Sequence, residues 1–236
     1  MLRVLIHGAS GRVGQALIRL CVQDPAFEIA AAIVRNIPAT NAAAGCRIPY
    51  FTPDMRDAIP KVDVVIDFSL PQALDWVIRF CKDRSVPLVC GTTGFNPAAQ
   101  NALQLLSHTV AVVWATNFSL GAAVLNALVA QASQSLRDWS CHVLESHHIH
   151  KKDAPSGTSL SLAHSAKAHH DRIEHVCIRA GDIVGDHTVQ FTGLGERIEL
   201  THRAQDRDIF ARGALHVAKR LQHCAPGRYQ VSDFIT

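Results

Sequence analysis

A strand-like apolar run leads into a glycine-rich turn in the stretch Val4-Leu5-Ile6-His7-Gly8-Ala9-Ser10-Gly11-Arg12-Val13-Gly14. A pyrophosphate is bound best by outward-pointing backbone N–H groups, by backbone that comes close without a Cβ atom, and by the positive end of a helix. The spacing is G-x-x-G-x-x-G rather than the commoner G-x-G-x-x-G. A turn that serves only tight strand–helix packing is the alternative. The position at the opening of a βαβ unit favours a dinucleotide site.

Short β-branched runs alternate with helical patterns through the first half of the chain. We predict crossover helices at residues 15–22, 72–82 and 97–107, and strands at residues 3–6, 28–34, 62–68, 86–90 and 110–114. Strands with few polar interruptions, each followed by a helix, indicate a parallel sheet that is covered on both faces. The first half is therefore expected to form a Rossmann-like, doubly wound α/β domain. The small residues at 39–44 are expected to form a loop.

The pattern changes after a long apolar helix candidate at residues 120–136. Longer strands are predicted at residues 139–145, 175–179, 188–191 and 197–203, and a last helix at residues 210–222. This spacing indicates an antiparallel or mixed sheet. The chain is therefore expected to be α/β overall, with an α+β second region whose sheet is mixed. The last helix is expected to return to the first domain.

Composition narrows the class of protein. The chain has 236 residues, of which 48% are hydrophobic and 18% charged, and its formal net charge is +3. Lys and Arg never form a run longer than two residues, which argues against a nucleic-acid partner, while the mild basicity suits an anionic ligand. Seven cysteines without a C-x-x-C spacing indicate reduced thiols. With neither a signal-peptide pattern nor about 18 consecutive apolar residues, a cytoplasmic protein with no membrane partner is expected.

The end of the second predicted strand reads Ala31-Ala32-Ile33-Val34-Arg35-Asn36. NAD-binding proteins usually carry a carboxylate here that accepts hydrogen bonds from the ribose. This stretch has none, whereas Arg35 offers a cation and a flat guanidinium to a 2'-phosphate. NADPH is therefore the cofactor that we predict to be preferred over NADH, unless Arg35 is an ordinary exposed charge.

Several stretches together resemble the signatures of the dihydrodipicolinate reductase family. Besides the glycine-rich loop, they are Gly91-Thr92-Thr93-Gly94-Phe95, Ala115-Thr116-Asn117-Phe118-Ser119, Glu145-Ser146-His147-His148-Ile149-His150-Lys151-Lys152-Asp153-Ala154-Pro155-Ser156-Gly157-Thr158, residues 179–185 and residues 195–199. They occur in order over almost the whole chain. The chain departs from the family pattern at Val34, where an acid is usual, and in two shorter segments, after residue 35 and between residues 169 and 179.

The resemblance implies an oxidoreductase of lysine and diaminopimelate biosynthesis. Such an enzyme reduces 4-hydroxy-tetrahydrodipicolinate, a small dicarboxylate, to tetrahydrodipicolinate with loss of water, and takes its hydride from NADPH or NADH. The resemblance further implies a homotetramer. Its dinucleotide-binding domain would comprise residues 1–119 and 208–236, and its substrate-binding and tetramerisation domain residues 120–207.

The resemblance also assigns roles to residues. The pyrophosphate would be held by Gly8, Ala9, Ser10, Gly11, Arg12 and Val13. The nicotinamide side would be lined by Phe68, Gly91, Thr92, Thr93, Ala115, Thr116, Asn117 and Phe118. In the second region, His147 would be the proton donor, Lys151 a second acid and substrate clamp, His148 a substrate contact, and Gly157 with Thr158 the backbone that binds a substrate carboxylate.

The residue chemistry of the second region agrees with these roles. Reduction of a conjugated C=N system needs a hydride on one carbon and a proton on the resulting electron-rich centre. A histidine such as His147 can give and regain a proton near neutral pH, and Lys151 can hold the substrate's negative charge. Ser156 is a candidate N-cap of a helix predicted at residues 160–168. Its free N–H groups would suit a carboxylate, and Gly157 would leave room for it.

Other interpretations of these residues stay open at this point. His147, His148 and His150 could bind a metal, but the sequence spacing offers no carboxylate or thiol that completes a zinc set, so no metal is predicted. Ser156 could be a nucleophile, although the G-x-S-x-G motif is absent. His164, His169 and His170 are expected on an exposed helix face. A non-catalytic nucleotide-binding sensor and a small-acid or amino-acid dehydrogenase are the competing functions.

Overall fold

The computed structural model describes residues 1–39, 42–43 and 45–235. These residues form two compact units. The first comprises Met1–Phe118 and Phe210–Phe234, and the second comprises Ser119–Ile209. Across the described residues, no helix combines the length and the apolar character that crossing a membrane requires.

The helices and strands have the following bounds. The strands are β1 (Leu2–His7), β2 (Phe27–Ile33), β3 (Ala42–Ala43), β4 (Cys46–Arg47), β5 (Tyr50–Phe51), β6 (Val64–Asp67), β7 (Leu88–Cys90), β8 (Ala111–Trp114), β9 (Ser140–His147), β10 (Ile173–Arg179), β11 (Gly185–Thr192), β12 (Arg197–Ala204) and β13 (Gly227–Tyr229). The α-helices are α1 (Arg12–Gln23), α2 (Leu74–Arg84), α3 (Pro97–Leu106), α4 (Leu120–Ser135), α5 (Gly157–Ala166) and α6 (Asp208–Leu221). Short 3-10 turns occupy Pro53–Ala58, Pro71–Ala73 and Val231–Phe234.

The sheet of the first unit is parallel, with the described strands in the order β13-β8-β7-β6-β1-β2-β5. Most residues of its central strands are apolar and buried, as a sheet covered on both faces requires. The chain order reverses between β1 and β6, because the chain first moves outward to β2 and then returns to the other side of β1. Doubly wound sheets bind ligands beyond the carboxyl ends of their strands at such a switch point. Gly8 follows β1 and Phe68 follows β6 at this place.

The sheet of the second unit is mixed, with the described strands in the order β10-β9-β11-β12. Strand β10 runs parallel to β9, and the other neighbouring pairs are antiparallel. Helices α4 and α5 cover one face. Their core with the sheet is formed by Leu125, Val129, Cys141, Val143, Leu162, Ala166, Val189 and Phe191.

The strand register brings polar side chains to the helix-covered face of this sheet. Glu145 of β9 lies opposite Cys177 of β10 and opposite His187 of β11. Side chains of register partners share a face, and side chains two residues apart along a strand also share it. Glu145 and His187 therefore continue the same face as the buried core residues Val143 and Val189.

Most predicted elements occur within a few residues of their expected bounds, with four differences. The helix expected at 72–82 opens with a 3-10 turn, and α2 begins only at Leu74. Strand β11 is longer than predicted and includes His187. His169 and His170 do not lie on an exposed helix face, because α5 ends at Ala166: His169 is half-buried in a turn, and the His170 ring is buried 5.5 Å from the Phe191 ring. Of the loop expected at 39–44, residues 40, 41 and 44 lie outside the described residues, and residues 42–43 form β3.

Candidate functional site

The glycine-rich loop joins β1 to α1 by close backbone packing. Gly8 has a φ of +79°, and a Cβ atom on it would lie 2.5 Å from the carbonyl oxygen of Phe68. A Cβ atom on Gly14 would lie 2.3 Å from the carbonyl oxygen of Gly8. The fold itself therefore requires both glycines, as the packing interpretation of the loop expected.

Two N–H groups of this loop are used inside the protein. Ala9 donates to the carbonyl oxygen of Ile33 at 3.1 Å, and Gly11 donates to that of Gly8 at 2.9 Å. These two N–H groups therefore do not point outward to a phosphate, because hydrogen bonds within the fold use them.

The first turn of α1 is better suited to an anion. The first helical hydrogen bond runs from the amide of Gln15 to Gly11, so the amides of Arg12, Val13 and Gly14 precede it. Gly11 is the N-cap and brings no side chain to cap them, and the first turn contains no acid. Both features leave the positive helix end open to a phosphate.

The loops after β6, β7 and β8 pack on one another beside the switch point. The Phe68 ring covers Gly91, where a Cβ atom would lie 2.1 Å from a ring carbon, and it meets the Phe118 ring edge-on at 5.5 Å. The amide of Ala115 donates to Cys90 at 3.1 Å. Of the predicted cofactor residues, Ala9, Thr92 and Phe118 are buried, and the exposed or half-buried ones are Gly8, Ser10, Gly11, Arg12, Val13, Arg35, Phe68, Gly91, Thr93, Ala115, Thr116 and Asn117.

A buried carboxylate lies beneath these loops. Asp67 is 0% exposed, and its Oδ1 lies 2.7 Å from Nδ1 of His7. Its Oδ2 accepts hydrogen bonds from the hydroxyl of Thr92 at 2.7 Å and from the thiol of Cys90 at 3.3 Å. Burial raises the pKa of Asp67, but the hydrogen bond from His7 and the other donors outweigh it, so the pKa lies below its ordinary value.

The two candidate residues after β2, Val34 and Arg35, differ in burial. Val34 is buried, and its amide donates to the carbonyl oxygen of Phe51 at 3.0 Å. Arg35 is exposed in the bend that follows. Arg35 is thus exposed just beyond the carboxyl end of β2, whereas the Val34 side chain faces the core.

Glu145 is the centre of the candidate site in the second unit. It is 1% exposed, and its carboxylate accepts the backbone amide of Ser156 at 3.0 Å and the guanidinium of Arg179 at 2.8 Å. Arg179 also donates to the carbonyl oxygen of Asp153. Burial raises the pKa of Glu145, but the hydrogen bonds from Ser156 and Arg179 outweigh it and lower the pKa to about 2. The charged carboxylate thus holds the segment before α5 against the sheet.

Two buried histidines lie beside this carboxylate. Nδ1 of His147 is 3.8 Å from Oε2 of Glu145, and Nε2 of His187 is 3.9 Å from the same oxygen. The two rings meet edge-on with centroids 5.0 Å apart. A Cβ atom on Gly185 would lie 3.1 Å from Nε2 of His147, so the glycine makes room for that ring.

Both histidines are shifted toward the neutral form. Burial lowers the pKa of His147; Glu145 opposes this effect, and the charges of Lys151 and Arg179 add to it. Burial and the neighbouring His147 lower the pKa of His187 to about 4. Nδ1 of His147 is buried without a hydrogen-bond partner in the described part of the chain. An imidazolium at this position would therefore give up its proton readily.

The predicted helix N-cap is confirmed. Ser156 caps α5, and its Oγ accepts the amide of Ser159 at 3.2 Å. The same Oγ lies 3.2 Å from Nε2 of His187. Gly157 is exposed, and a Cβ atom on it would have no atom of the described residues within 4 Å. The space beside Gly157 and the half-buried Thr158 is thus open to a ligand.

Lys151 lies in different surroundings from the histidines. Its Nζ forms an ion pair with the carboxylate of Asp153 at 2.8 Å, and the Asp153 side chain is 58% exposed. His148 is half-buried, and its ring lies 6.2 Å from that of the exposed His150. Lys151 can therefore exchange an exposed carboxylate for one supplied by a substrate.

Glu145 and the two buried histidines together form a possible set of metal ligands. The fold does supply the carboxylate that the spacing lacked, because ligand atoms of Glu145, His147 and His187 lie within 4.8 Å of one another. His148 and His150 do not belong to this group. Arg179 and the amide of Ser156 already bind the carboxylate, and no role for an ion is assigned.

The contributions of His187, Arg179 and Glu145 to this site were not predicted from the sequence. Arg179 and Glu145 lay in quoted motifs but had no role there. His187 could have been found from the two-residue alternation of Gly185, His187, Val189 and Phe191, which marks one face of a strand longer than the predicted one.

Comparison with known proteins places this geometry in a family. The model of the dihydrodipicolinate reductase N-terminus matches residues 2–118, and the model of its C-terminus matches residues 121–235. The chain belongs to the dihydrodipicolinate reductase family. It is 51% identical over 234 residues to the 4-hydroxy-tetrahydrodipicolinate reductase of Xylella fastidiosa (strain 9a5c), with 99% of this chain and 98% of that protein covered. It is also 51% identical over 233 residues to the enzyme of the same name from Xanthomonas axonopodis pv. citri (strain 306), with 99% and 97% covered.

Solved structures support the fold. The dipicolinate-bound dihydrodipicolinate reductase of Paenisporosarcina sp. TG-14 is similar with a TM-score of 0.84 at 22% identity, covering 98% of this chain and 97% of that one. C. glutamicum DAP dehydrogenase in complex with DAP is similar with a TM-score of 0.62 at 14% identity, covering 100% and 95%. The predicted fold class is confirmed.

The family membership also settles the class of activity. The predicted reductase of lysine biosynthesis is confirmed, and the non-catalytic sensor is not supported. A pyridine nucleotide as cofactor is supported by the N-terminal family match. The weaker similarity to DAP dehydrogenase concerns the fold alone.

Proposed function

We propose that this chain reduces 4-hydroxy-tetrahydrodipicolinate with loss of water, binding NADPH on the first unit and the dicarboxylate substrate on the second. The observation that supports this best is His147, a buried histidine with a lowered pKa and a free ring nitrogen, placed beside Glu145 and the open start of α5. A bound pyridine nucleotide supplies the hydride. The chain's own residues hold the substrate and deliver the proton.

His147 is the proton donor in this proposal. Once protonated, its imidazolium is destabilised by burial and by Lys151 and Arg179, which favours transfer to the electron-rich centre left by hydride addition. Glu145 limits this destabilisation and lets the ring regain a proton in each turnover. His148 contacts the substrate.

Two cationic or dipolar features bind the substrate's carboxylates. Lys151 clamps one of them in place of Asp153, and its contribution to proton transfer is secondary. The backbone at Gly157 and Thr158 binds the other at the positive end of α5. Ser156 keeps this helix start in place through its cap and through the amide that it donates to Glu145.

The first unit binds the cofactor in two parts. The pyrophosphate lies at the start of α1, against the amides of Arg12 and Val13 and the glycine turn. The nicotinamide lies beside the loops that contain Phe68, Gly91, Thr93 and Thr116. Arg35 contacts a 2'-phosphate, and this exposed cation supports a preference for NADPH.

An apolar face of the second unit supports a homotetramer. Register pairs Val176 with Leu144 on the sheet face opposite α4 and α5, and Ile178 follows on the same face. Val176 and Ile178 are each 47% exposed. Light scattering should find a tetramer in the wild type and smaller species after Val176→Glu with Ile178→Glu. Leu105→Glu, at an exposed leucine of α3, should leave the tetramer intact, and a monomeric wild type would refute this assignment.

Turnover with freshly prepared 4-hydroxy-tetrahydrodipicolinate tests the reaction itself. Oxidation of NADPH and of NADH would be followed separately by absorbance. We expect substrate-dependent oxidation with both cofactors and a faster rate with NADPH. No substrate-dependent oxidation with either cofactor, or equal activity with small amino acids as substrates, would refute the proposed reaction.

A further inference from the structure

A buried polar cluster ties together the chain segments that follow β1, β6 and β7. His7 ends β1, Asp67 ends β6, and Thr92 lies two residues beyond β7. The hydroxyl of Thr92 binds Asp67 at 2.7 Å and the backbone amide of Ser69 at 3.0 Å. Three loops at the switch point are thus linked through one carboxylate that is 0% exposed.

The direction of each hydrogen bond in the cluster follows from its donors. The amide of Ser69 can only donate, so the Thr92 oxygen accepts from it and sends its own proton to Asp67. Cys90 also donates to Oδ2, and with Asp67 ionised, as its lowered pKa indicates, Nδ1 of His7 donates to Oδ1. Both carboxylate oxygens thus face donors, which fits an ionised Asp67.

Aromatic stacking fixes the histidine from its other side. The His7 ring lies parallel to the Trp76 ring, with an interplanar angle of 7° and centroids 5.1 Å apart. Trp76 in turn stacks on Phe80 at 5.2 Å. His7 is only 4% exposed, so its ring cannot turn away from Asp67 without disturbing this stack.

Burying an ionised carboxylate costs free energy that apolar packing would not. This unfavourable burial occurs at the switch point, where the position of the loop backbone matters for a bound ligand. The Thr92 side chain points to Asp67, whereas its neighbour Thr93 is exposed. The hydroxyl of Thr92 therefore acts on the loop and not on a bound molecule.

We propose that Asp67, together with His7, is a positioning residue for the nicotinamide half of the cofactor. It holds Ser69 and Thr92 so that the loops after β6 and β7 keep one arrangement beside the switch point. The inference rests on the proposed function only in that the first unit binds a pyridine nucleotide. The adenosine half, which would lie near Arg35, does not depend on the cluster.

Binding of two ligands, one with and one without a nicotinamide, distinguishes a positioning role of the cluster from a general effect on stability. Dissociation constants for NADPH and for 2'-phospho-ADP-ribose, which lacks the nicotinamide, would be measured with Asp67→Asn and Thr92→Val. Loss of one charge-assisted hydrogen bond corresponds to about tenfold in an equilibrium constant. We expect NADPH to bind about tenfold more weakly, and the nicotinamide-free ligand to bind as it does to the wild type.

A matched control lies at the opposite end of β6. Asp63 binds Arg3 at 2.6 Å just before that strand, so Asp63→Asn makes the same chemical change away from the switch point and should leave both affinities unchanged. Thr92→Val keeps the shape of the side chain and tests the inference even if Asp67→Asn does not fold. Equal loss of both ligands, or unchanged NADPH affinity, would overturn the inference. A wild type that binds neither ligand would refute the proposed function.

Discussion

Each unit contains one buried carboxylate beside a histidine, and the two pairs are built differently. In the first unit, Asp67 and His7 are joined by a hydrogen bond of 2.7 Å. In the second unit, Oε2 of Glu145 and Nδ1 of His147 are 3.8 Å apart, which is too long for a hydrogen bond. We call Asp67 and His7 the closed pair, because a hydrogen bond joins them, and Glu145 and His147 the open pair, because none does.

The closed and the open pair differ because the two carboxylates accept hydrogen bonds from different donors. Asp67 accepts from its histidine, whereas Glu145 accepts from Arg179 and the amide of Ser156. Nδ1 of His147 then keeps no hydrogen-bond partner within the described residues. A closed pair is suited to fixing loops, and an open pair is suited to exchanging protons. Catalysis is therefore expected to depend on the second unit, and cofactor geometry on the first.

An effect as large as that of losing His147 should come from Lys151→Ala, which removes a cation from the candidate substrate site. We expect kcat to fall by about 100-fold, the usual scale for a lost group that assists proton transfer or holds the substrate for it, while NADPH affinity stays near the wild-type value. Steady-state kinetics and fluorescence titration would measure both. Lys152→Ala removes an exposed neighbour of the same charge and should have little effect. Equal kinetics for the two variants would remove Lys151 from the site.

The buried groups beside the open pair should also make the free energy of unfolding depend on pH. The pKa of His187 is about 4 in the folded protein against an ordinary value of 6.5, so the unfolded chain binds the proton first as the pH falls. The free energy of unfolding should therefore drop as the pH falls from about 6.5 to about 4, by roughly 2 kcal/mol between about pH 7 and about pH 5. Glu145, with a folded pKa of about 2 against 4.5, should add a further loss below about pH 4.5.

Urea unfolding at both pH values would test this effect. His187→Gln removes the group and should reduce the pH dependence by roughly the same 2 kcal/mol. His164→Gln, at an exposed histidine of α5, should keep it. If His187→Gln shows the wild-type pH dependence, the burial of a neutral imidazole is not its source.

A smaller effect is expected at the start of α5. Gly157→Val should raise KM by about tenfold with little change in kcat, because it disturbs uniform binding of a carboxylate. A Cβ atom at this position would meet no atom of the described residues within 4 Å, so the melting temperature should hardly change. Thr158→Ala should act in the same direction but less strongly. A Gly157→Val enzyme with the wild-type KM would contradict docking of the substrate on this backbone.

The smallest effect concerns the choice of cofactor. A contact from Arg35 to a 2'-phosphate supports a preference for NADPH of about tenfold in kcat/KM, and Arg35→Ala should abolish it. Val34→Glu should move the preference toward NADH, but Val34 is 5% exposed, so this variant needs a stability control. A wild type that prefers NADH, or an Arg35→Ala variant that still prefers NADPH, would move the phosphate contact elsewhere, with Arg12 the next candidate.

The sequence predicted features that depend on local pattern. Apolar runs and glycine spacing located the parallel sheet and the loop at its switch point, and Ser156 was identified as a helix cap. Contacts that depend on the register between strands could not be predicted from the sequence. Glu145 meets His187 only because β9 and β11 pair in one register, and Arg179 joins them from β10. The N–H groups of the glycine-rich loop were expected to point outward, but that of Ala9 donates to Ile33 at the end of the neighbouring strand, and that of Gly11 donates to Gly8 within the loop.

Paired substitution of the two histidines tests the contrast between the closed and the open pair most directly. His147→Gln and His7→Gln would each be assayed for kcat and for the NADPH dissociation constant. We predict that His147→Gln lowers kcat by about 100-fold with unchanged NADPH affinity, and that His7→Gln weakens NADPH binding by about tenfold and lowers kcat at saturating cofactor much less. Full turnover in His147→Gln, or a loss confined to kcat in His7→Gln, would contradict this division of roles.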